Sequence, residues 1–134
     1  MAHMARGTFE VTINPLTPYN MSEGAQLGRM SLDKLFHGDL EASSQGEMLS
    51  AQTGVEGSAG YVAIERVTGT LAGRKGSFVL QHTGLMARGA PSLTVIIVPD
   101  SGTDELAGLV GTMDIIIEEG RHMYVLEYEL RVSE

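Results

Sequence analysis

The chain has 134 residues, of which 43% are hydrophobic, enough for one domain with a core but too few for two well-packed domains. A formal net charge of −8 at pH 7 argues against binding to nucleic acid or to anionic membranes, and no apolar run approaches the roughly 20 residues of a membrane-spanning helix. The absence of cysteine excludes disulfides and thiol chemistry and favours a reducing, cytoplasmic location.

Residues 1–3 have the character of a cloning scar ahead of a native start at Met4. They lack the apolar core of a signal peptide. His3 is accordingly not a candidate ligand. We expect residues 4–134 to form a single domain, since the sequence contains no linker and no low-complexity tract.

Eight runs of strand-forming residues follow, separated by glycine, proline and polar residues. In chain order, the predicted strands cover residues 8–14, 29–37, 39–52, 61–68, 77–83, 92–98, 113–118 and 122–132. Pro15 and Pro18 should end the first strand, since proline cannot donate to a ladder, and the polar segment 15–28 is long enough to cap one mouth of a barrel. Gly46 lies inside the third run and is a candidate β-bulge.

The fourth and fifth runs flank a glycine-rich turn, LAGRKG, and together predict a β-hairpin. The sixth run, SLTVIIV, is apolar on both faces and needs cover from a helix, a loop or a second subunit. One short helical turn is predicted near residues 103–108, with Ser101 or Thr103 as its N-cap and Gly108 at its end. Short connections between eight strands predict an all-β antiparallel meander, and closing it into a barrel removes the exposed edges.

Alternation along the strands assigns side chains to the barrel interior. The expected interior residues are Phe9, Val11, Ile13, Phe78, Leu80, His82, Met113, Ile115, Ile117, Tyr124, Leu126 and Tyr128. The fourth strand is ambiguous, because either of its faces, the one with Glu65 or the one with Arg66, brings a charge near the core. Eight strands leave room for packed side chains or for one small ligand.

Glu65 and His82 lie on the two strands of the predicted hairpin and are the candidate catalytic residues. A carboxylate in an apolar pocket has a raised pKa, and a neighbouring imidazole can hold or share its proton. Such a pair can move a proton to or from carbon without a cofactor. The alternative is a structural hydrogen bond, or a Glu65 side chain that points outward.

Tyr61, Tyr124 and Tyr128 are candidate hydrogen-bond donors to the same cavity, although aromatic core residues with hydroxyls bonded to backbone are the commoner arrangement. The expected ligand contacts inside the barrel are Phe78, Leu80, Met113, Tyr124 and Leu126. The chain also has eight methionines, which either fill the core or line an adaptable pocket. His37 and His122 lie at strand ends without the spacing of a metal site, so we expect no metal and no cofactor.

Four segments together resemble one bacterial family of small domains of unknown function: GEMLSAQ, GSAGYVAIERVTGTLAGRKGSFVLQHTG, VPDSGTDELAGLVG and HMYVLEYEL. The resemblance covers nearly all of the chain from Met4 onward. Members of that family are similar in fold to allene oxide cyclase, which implies an eight-stranded antiparallel barrel here. The resemblance carries no active-site residue onto this chain, because the catalytic motif of the cyclase has no residue-by-residue match.

Two functional hypotheses follow. The first is a barrel that binds a small apolar molecule, either as a carrier or as a cofactor-free isomerase, lyase or cyclase in which Glu65 is the base, His82 its partner, and Tyr61 or Tyr128 the donor to developing negative charge. The second is a non-catalytic binding or interaction protein, a homodimer or higher oligomer, with the run Leu93–Val98 as the contact between copies.

Overall fold

The computed structural model describes residues 2–131. Two predictions, the scar residue Met1 and the end of the eighth strand at Val132, lie outside these residues. Within them the chain forms one closed sheet of eight antiparallel strands in sequence order, with the last strand paired to the first. The predicted all-β barrel is therefore confirmed.

Strands occur at all eight predicted positions, and most extend beyond the predicted bounds. They are β1 His3–Leu16, β2 Gln26–Gly38, β3 Leu40–Gln52, β4 Ala59–Leu71, β5 Arg74–Ala87, β6 Ala90–Ile97, β7 Leu109–Glu118 and β8 Arg121–Leu130. Among the described residues a single 3₁₀ turn, Asp104–Leu106, precedes β7 and confirms the predicted helical turn. Among the described residues, no helix is long and apolar enough to cross a membrane.

The predicted hairpin is formed by β4 and β5, which pair without interruption from Ala59 and Met86 to Leu71 and Arg74. Its connection is shorter than predicted, because only the two residues between Leu71 and Arg74 form the turn, both with positive φ. This two-residue turn has the twist that antiparallel strands require, and it fixes the register of the whole hairpin.

Two predicted interruptions of the sheet are wrong. Strand β1 continues through Pro15, which is tolerated because β1 pairs with β8 only as far as Phe9 and has one free edge beyond that point. Strand β3 has no bulge at Gly46, which keeps a continuous register with Leu32 on β2 and with Glu65 on β4. Close approach of β4, rather than an extra residue in the ladder, is the reason for glycine there.

One end of the barrel is closed by the segment between β6 and β7. Of the two predicted N-cap residues, Thr103 occupies the N-cap position of the 3₁₀ turn, but its side chain makes no cap hydrogen bond. Thr103 Oγ1 instead accepts a hydrogen bond from the Ser77 amide, and Ser101 Oγ accepts one from the Val79 amide, both at 3.0 Å. These bonds satisfy the edge of β5 beyond its pairing with β6, while Leu106 is buried in the core.

The core contains most of the residues predicted from alternation, including Phe9, Phe78, Leu80 and Leu126. On β4 the ambiguity is resolved: Ala63, Glu65 and Val67 are buried, whereas Val62 and Ile64 are half exposed on the outer surface.

Ile13 and Ile117 are the exceptions, since both are largely exposed. Their alternation is as predicted, but they lie at the open end of the barrel, which we call the mouth. There β1 no longer pairs with β8, and β6 pairs with β7 only at Ile96 and Thr112. The two isoleucines therefore point toward the interior without neighbours to cover them.

The apolar run on β6 is covered on one side only. Val95 and Ile97 are buried inside the barrel, Ile96 and Val98 are partly buried on the outside, and Leu93 is exposed near the mouth. The sequence predicts that a helix, a loop or a second subunit covers this strand. No helix of the described chain does so.

Candidate functional site

The predicted catalytic pair is brought together inside the barrel. Glu65 on β4 and His82 on β5 both point inward, and His82 lies opposite Ala63, one inward position closer to the mouth than Glu65. Glu65 is fully buried and His82 is 3% exposed. Glu65 Oε2 and His82 Nε2 are 3.6 Å apart, an electrostatic contact slightly too long for a hydrogen bond. Within the described chain, His82 Nε2 has no hydrogen-bond partner.

A third charged group, Lys34 on β2, completes this cluster and was not predicted. Its ammonium Nζ donates to Glu65 Oε1 at 3.3 Å and lies 2.9 Å from Oε2, where the contact is an ion pair outside hydrogen-bond directions. The same ammonium is 5.1 Å from the ring centroid of Phe9 and 5.9 Å from that of Phe36. Two aromatic rings and a carboxylate therefore compensate the buried charge of Lys34.

The sequence does contain a signal for Lys34. Leu32, Lys34 and Phe36 alternate with polar Asp33, and all three are buried. A lysine at an inward position between two apolar ones predicts a buried cation with a partner, because an unpaired charge there would be too costly.

The ion pair changes the acidity predicted for Glu65. Burial by itself raises the pKa of this carboxyl, but the neighbouring His82 imidazole and the Lys34 ammonium together outweigh burial, so the pKa lies below its ordinary value. The predicted rise is thus wrong in direction. Glu65 is an ionised carboxylate at neutral pH, which makes it a strong partner for cations and a weak base.

Two small residues of β3 make room for the cluster. Gly46 lies opposite Glu65, and Ser44 lies opposite Lys34. The carboxylate of Glu65 reaches Lys34 diagonally across β3, over the position where Gly46 has no side chain. Ser44 is buried, and its Oγ has no hydrogen-bond partner in the described part of the chain.

Tyr61 lies between the cluster and the mouth. Its ring packs over Gly84, which is opposite Tyr61 on β5, and a Cβ at position 84 would lie 2.7 Å from Tyr61 Cδ1. The ring centroids of Tyr61 and His82 are 6.5 Å apart. Burial and the negative charge of Glu65 raise the pKa of Tyr61, so its hydroxyl stays protonated and remains a hydrogen-bond donor.

The other two predicted tyrosines lie elsewhere. Tyr124 Oη accepts a hydrogen bond from the Leu40 amide at 2.9 Å and lies 3.0 Å from the His37 carbonyl oxygen, to which it donates. This hydroxyl therefore holds the connection between β2 and β3. Tyr128 packs against the ring of His3 with centroids 5.4 Å apart, near the closed end, and no contact joins it to Glu65 or His82 among the described residues.

An apolar cavity of about 320 Å³ opens at the mouth, above Tyr61. Its lining includes Met30, Met48, Met86 and Leu93, together with Tyr61. Neither Glu65 nor His82 lines this cavity, and neither do the predicted ligand contacts, which are buried deeper in the core. They are Phe78, Leu80, Met113, Tyr124 and Leu126.

The segment between β1 and β2 does not cap this cavity. Pro18, Tyr19 and Asn20 line a separate cleft of about 500 Å³ on the outer surface, next to Leu49 and Val62. The described residues contain no group of three or more His, Cys, Asp or Glu side chains placed to hold a metal ion.

The fold and the site define a closed eight-stranded antiparallel barrel with an apolar mouth above a buried lysine, glutamate and histidine. The chain belongs to the DUF3224 family, whose members are described as proteins of unknown function. The sequence pattern of the family matches residues 5–128. It is similar to a protein of unknown function of that family from Shewanella oneidensis MR-1, with 52% identity and a TM-score of 0.95. That likeness covers 99% of this chain and 100% of the other. No curated protein matches the chain.

Proposed function

We propose that this protein binds a small, mainly apolar molecule in the mouth cavity. The observation that supports this proposal is the cavity itself: about 320 Å³, lined by three methionines, Leu93 and Tyr61, at the end of the barrel that the described residues leave open. Its volume is at the lower end of the range of small-molecule sites. Thioether side chains adapt to irregular apolar shapes, so the ligand fits by its size and apolar surface.

Charge favours an uncharged ligand. The ions closest below the cavity, Lys34 and Glu65, already neutralise each other at 2.9 Å, so no unpaired charge is left there to attract an ion. Tyr61 supplies a hydroxyl donor at the floor, which suits a single acceptor such as a carbonyl oxygen. The proposed ligand is thus a neutral molecule with an apolar body and one hydrogen-bond acceptor.

The neutral dye Nile red tests this proposal, since its emission rises in apolar sites. Met48→Trp should fill the cavity and weaken dye binding about tenfold or more, whereas Met4→Trp, on the outer surface of β1, should leave binding unchanged. Circular dichroism checks that both variants fold. Binding that is absent from the wild type, or equal in the two variants, would contradict the proposal.

A second candidate function is acid–base catalysis without a cofactor, as in an isomerase, a lyase or a cyclase. The observation that favours it is the unpartnered, buried His82 Nε2 beside the carboxylate of Glu65. With Glu65 held ionised, His82 is the group that exchanges protons, and Glu65 orients it. Because the ring of Tyr61 lies between His82 and the mouth cavity, this reaction requires that ring to move aside. Tyr61 is the donor to a developing oxyanion.

Deuterium exchange tests this second candidate. NMR in D₂O would follow exchange at carbon atoms next to the carbonyl group of small neutral ketones. His82→Gln should abolish exchange, and His122→Gln, at the end of β8 near the mouth, should retain it. Exchange that is absent from the wild type, or equal in both variants, would exclude His82 as the acid–base group.

We further propose the cytoplasm as the compartment, because a chain without cysteine forms no disulfides and needs no oxidising environment.

A further inference from the structure

Large aliphatic side chains occupy the outer surface of β3–β5 near the mouth, where a solvated sheet face is normally polar. Leu49 on β3 lies directly opposite Val62 on β4, and Ile64 follows Val62 on the same face. Leu85 on β5 lies over Gly60, within 3.1 Å of the place where a Cβ would be. Leu49, Val62, Ile64 and Leu85 are each half exposed or more, and we call them the outer apolar patch.

Most of the outward residues next to the patch are uncharged. The uncharged outward positions next to it on β3–β6 are Ala51, Gly60, Gln81, Thr83, Ser92, Thr94 and Ile96. Three charged residues adjoin the patch. Glu47 lies opposite Ile64 and Arg29 lies opposite Leu49, and these two charged groups are paired with each other at 2.7 Å. Arg66 follows Ile64 on β4. The four patch residues themselves include none of the 26 charged side chains of the chain.

The segment between β1 and β2 extends this surface. Pro18 and Tyr19 form one wall of the outer cleft, and Leu49, Val62 and Leu85 line the other. Tyr19 is fully exposed, and Met21 is nearly so. The segment therefore places the side chain of Tyr19 beside the patch without covering it.

We infer that the outer apolar patch is the contact between two copies of this chain. Two molecules that each carry a net charge of −8 repel one another. At this patch the adjoining carboxylate of Glu47 is already paired with Arg29, so two copies can meet there without placing unpaired like charges together. A partner of another kind, such as a basic protein, would be selected by acidic groups, and these lie outside the patch. Contacts between identical subunits are in general the more apolar class of interface.

The area of the patch is sufficient for such a contact. Four half-exposed aliphatic side chains present on the order of 400 Å² of apolar surface, at about 100 Å² each. A fully exposed tyrosine adds about 200 Å². With the uncharged outward positions of β3–β6 beside the patch, each copy approaches the roughly 800 Å² that a standard interface buries per partner.

A contact between two copies at the patch would also affect access to the mouth cavity. Ser50, Gly60, Tyr61, Gly84 and Leu85 border both the outer cleft and the mouth cavity. A second copy on the patch therefore lies against the rim of the cavity. The inference does not depend on ligand binding, because it rests on the outer surface alone.

Sedimentation equilibrium with a matched pair of variants tests this inference. Leu49 is 55% exposed within the patch, and Leu35 is 51% exposed on β2, outside it and opposite Glu10. The wild type and Leu35→Glu should sediment at 28.6 kDa, twice the chain mass of 14.3 kDa, at about 10 µM. Leu49→Glu should sediment at 14.3 kDa, with the dissociation constant raised at least about 100-fold.

Leu85→Lys is a second variant within the patch, in case Leu49→Glu does not fold, and it should also give the single-chain mass. A wild type that stays at 14.3 kDa at several hundred micromolar would overturn the inference. So would a dimer that both patch variants leave intact, because the contact would then lie on another face.

Discussion

Gly46 on β3 lies directly opposite Glu65 on β4, and the missing side chain is what leaves room for the buried carboxylate. A Cβ at position 46 would lie 2.7 Å from Glu65 Cβ and would collide with the carbonyl oxygen of Ile64. The carboxylate then reaches Lys34 on β2 from across the intervening strand. Gly46 therefore allows the ion pair of Glu65 and Lys34 to form, although it makes no polar contact of its own.

Gly46→Ala should lower the free energy of unfolding by about 2–3 kcal/mol, because β4 must move away from β3 to admit the methyl group. Urea denaturation measures this change. Gly54→Ala is the matched control, since Gly54 has open space around it and no positive φ, and its effect should stay within about 0.5 kcal/mol. Equal effects of the two substitutions would show that β3 and β4 are not packed as closely as the structure has them.

Lys34→Met should destabilise the fold by about 3–5 kcal/mol at pH 7, because it leaves the carboxylate of Glu65 buried without its cation. Replacing both residues, as Lys34→Met with Glu65→Leu, should recover most of that loss, since an apolar pair of similar volume needs no compensation. A double variant no more stable than the single one would mean that Lys34 stabilises the barrel mainly by packing on Phe9 and Phe36.

Acid should destabilise the wild type through Glu65. Its pKa in the folded chain lies below the ordinary value of 4.5, so the folded state binds fewer protons than the unfolded state there. The stabilisation is complete above about pH 5 and is lost as the pH falls through the folded pKa. Glu65→Gln should flatten this part of the curve of unfolding free energy against pH. Parallel curves for wild type and variant would show that Glu65 titrates normally.

The sequence predicts the barrel well, because short-range signals decide it. Alternation, glycine-containing turns and short connections fix eight strands and place Glu65 and His82 on the same hairpin. It predicts the site less well, because the partners come from distant strands. Lys34 is 31 residues from Glu65, and the register that brings them together depends on β3 between them. The predicted rise in the pKa of Glu65 is wrong for that reason. Alternation along a strand shows which side chains are buried, but it does not show which cation lies beside them.

Tyr61→Ala should open the buried cluster to the mouth. His82 is 3% exposed, and the ring of Tyr61 over Gly84 separates it from the apolar cavity. Diethyl pyrocarbonate, which modifies accessible imidazoles, should therefore react with His82 several times faster in the variant than in the wild type. His37, near the end of β2, is half exposed and should react at the same rate in the wild type and in the variant. Mass spectrometry measures both reactions. Unchanged protection of His82 would mean that another residue closes the cluster.

Tyr124→Phe should destabilise the barrel by about 1–3 kcal/mol without affecting the mouth cavity. The hydroxyl of Tyr124 accepts from the Leu40 amide and donates to the His37 carbonyl oxygen, so its loss leaves a buried amide without a partner. Tyr19→Phe is the control, because Tyr19 is fully exposed and its hydroxyl has no bonded partner among the described residues. Thermal unfolding measures both variants, and Nile red binding should be the same in both. If Tyr124→Phe loses dye binding at full stability, Tyr124 contacts the ligand, as the sequence predicts. If it loses stability alone, its hydroxyl serves to hold the connection between β2 and β3.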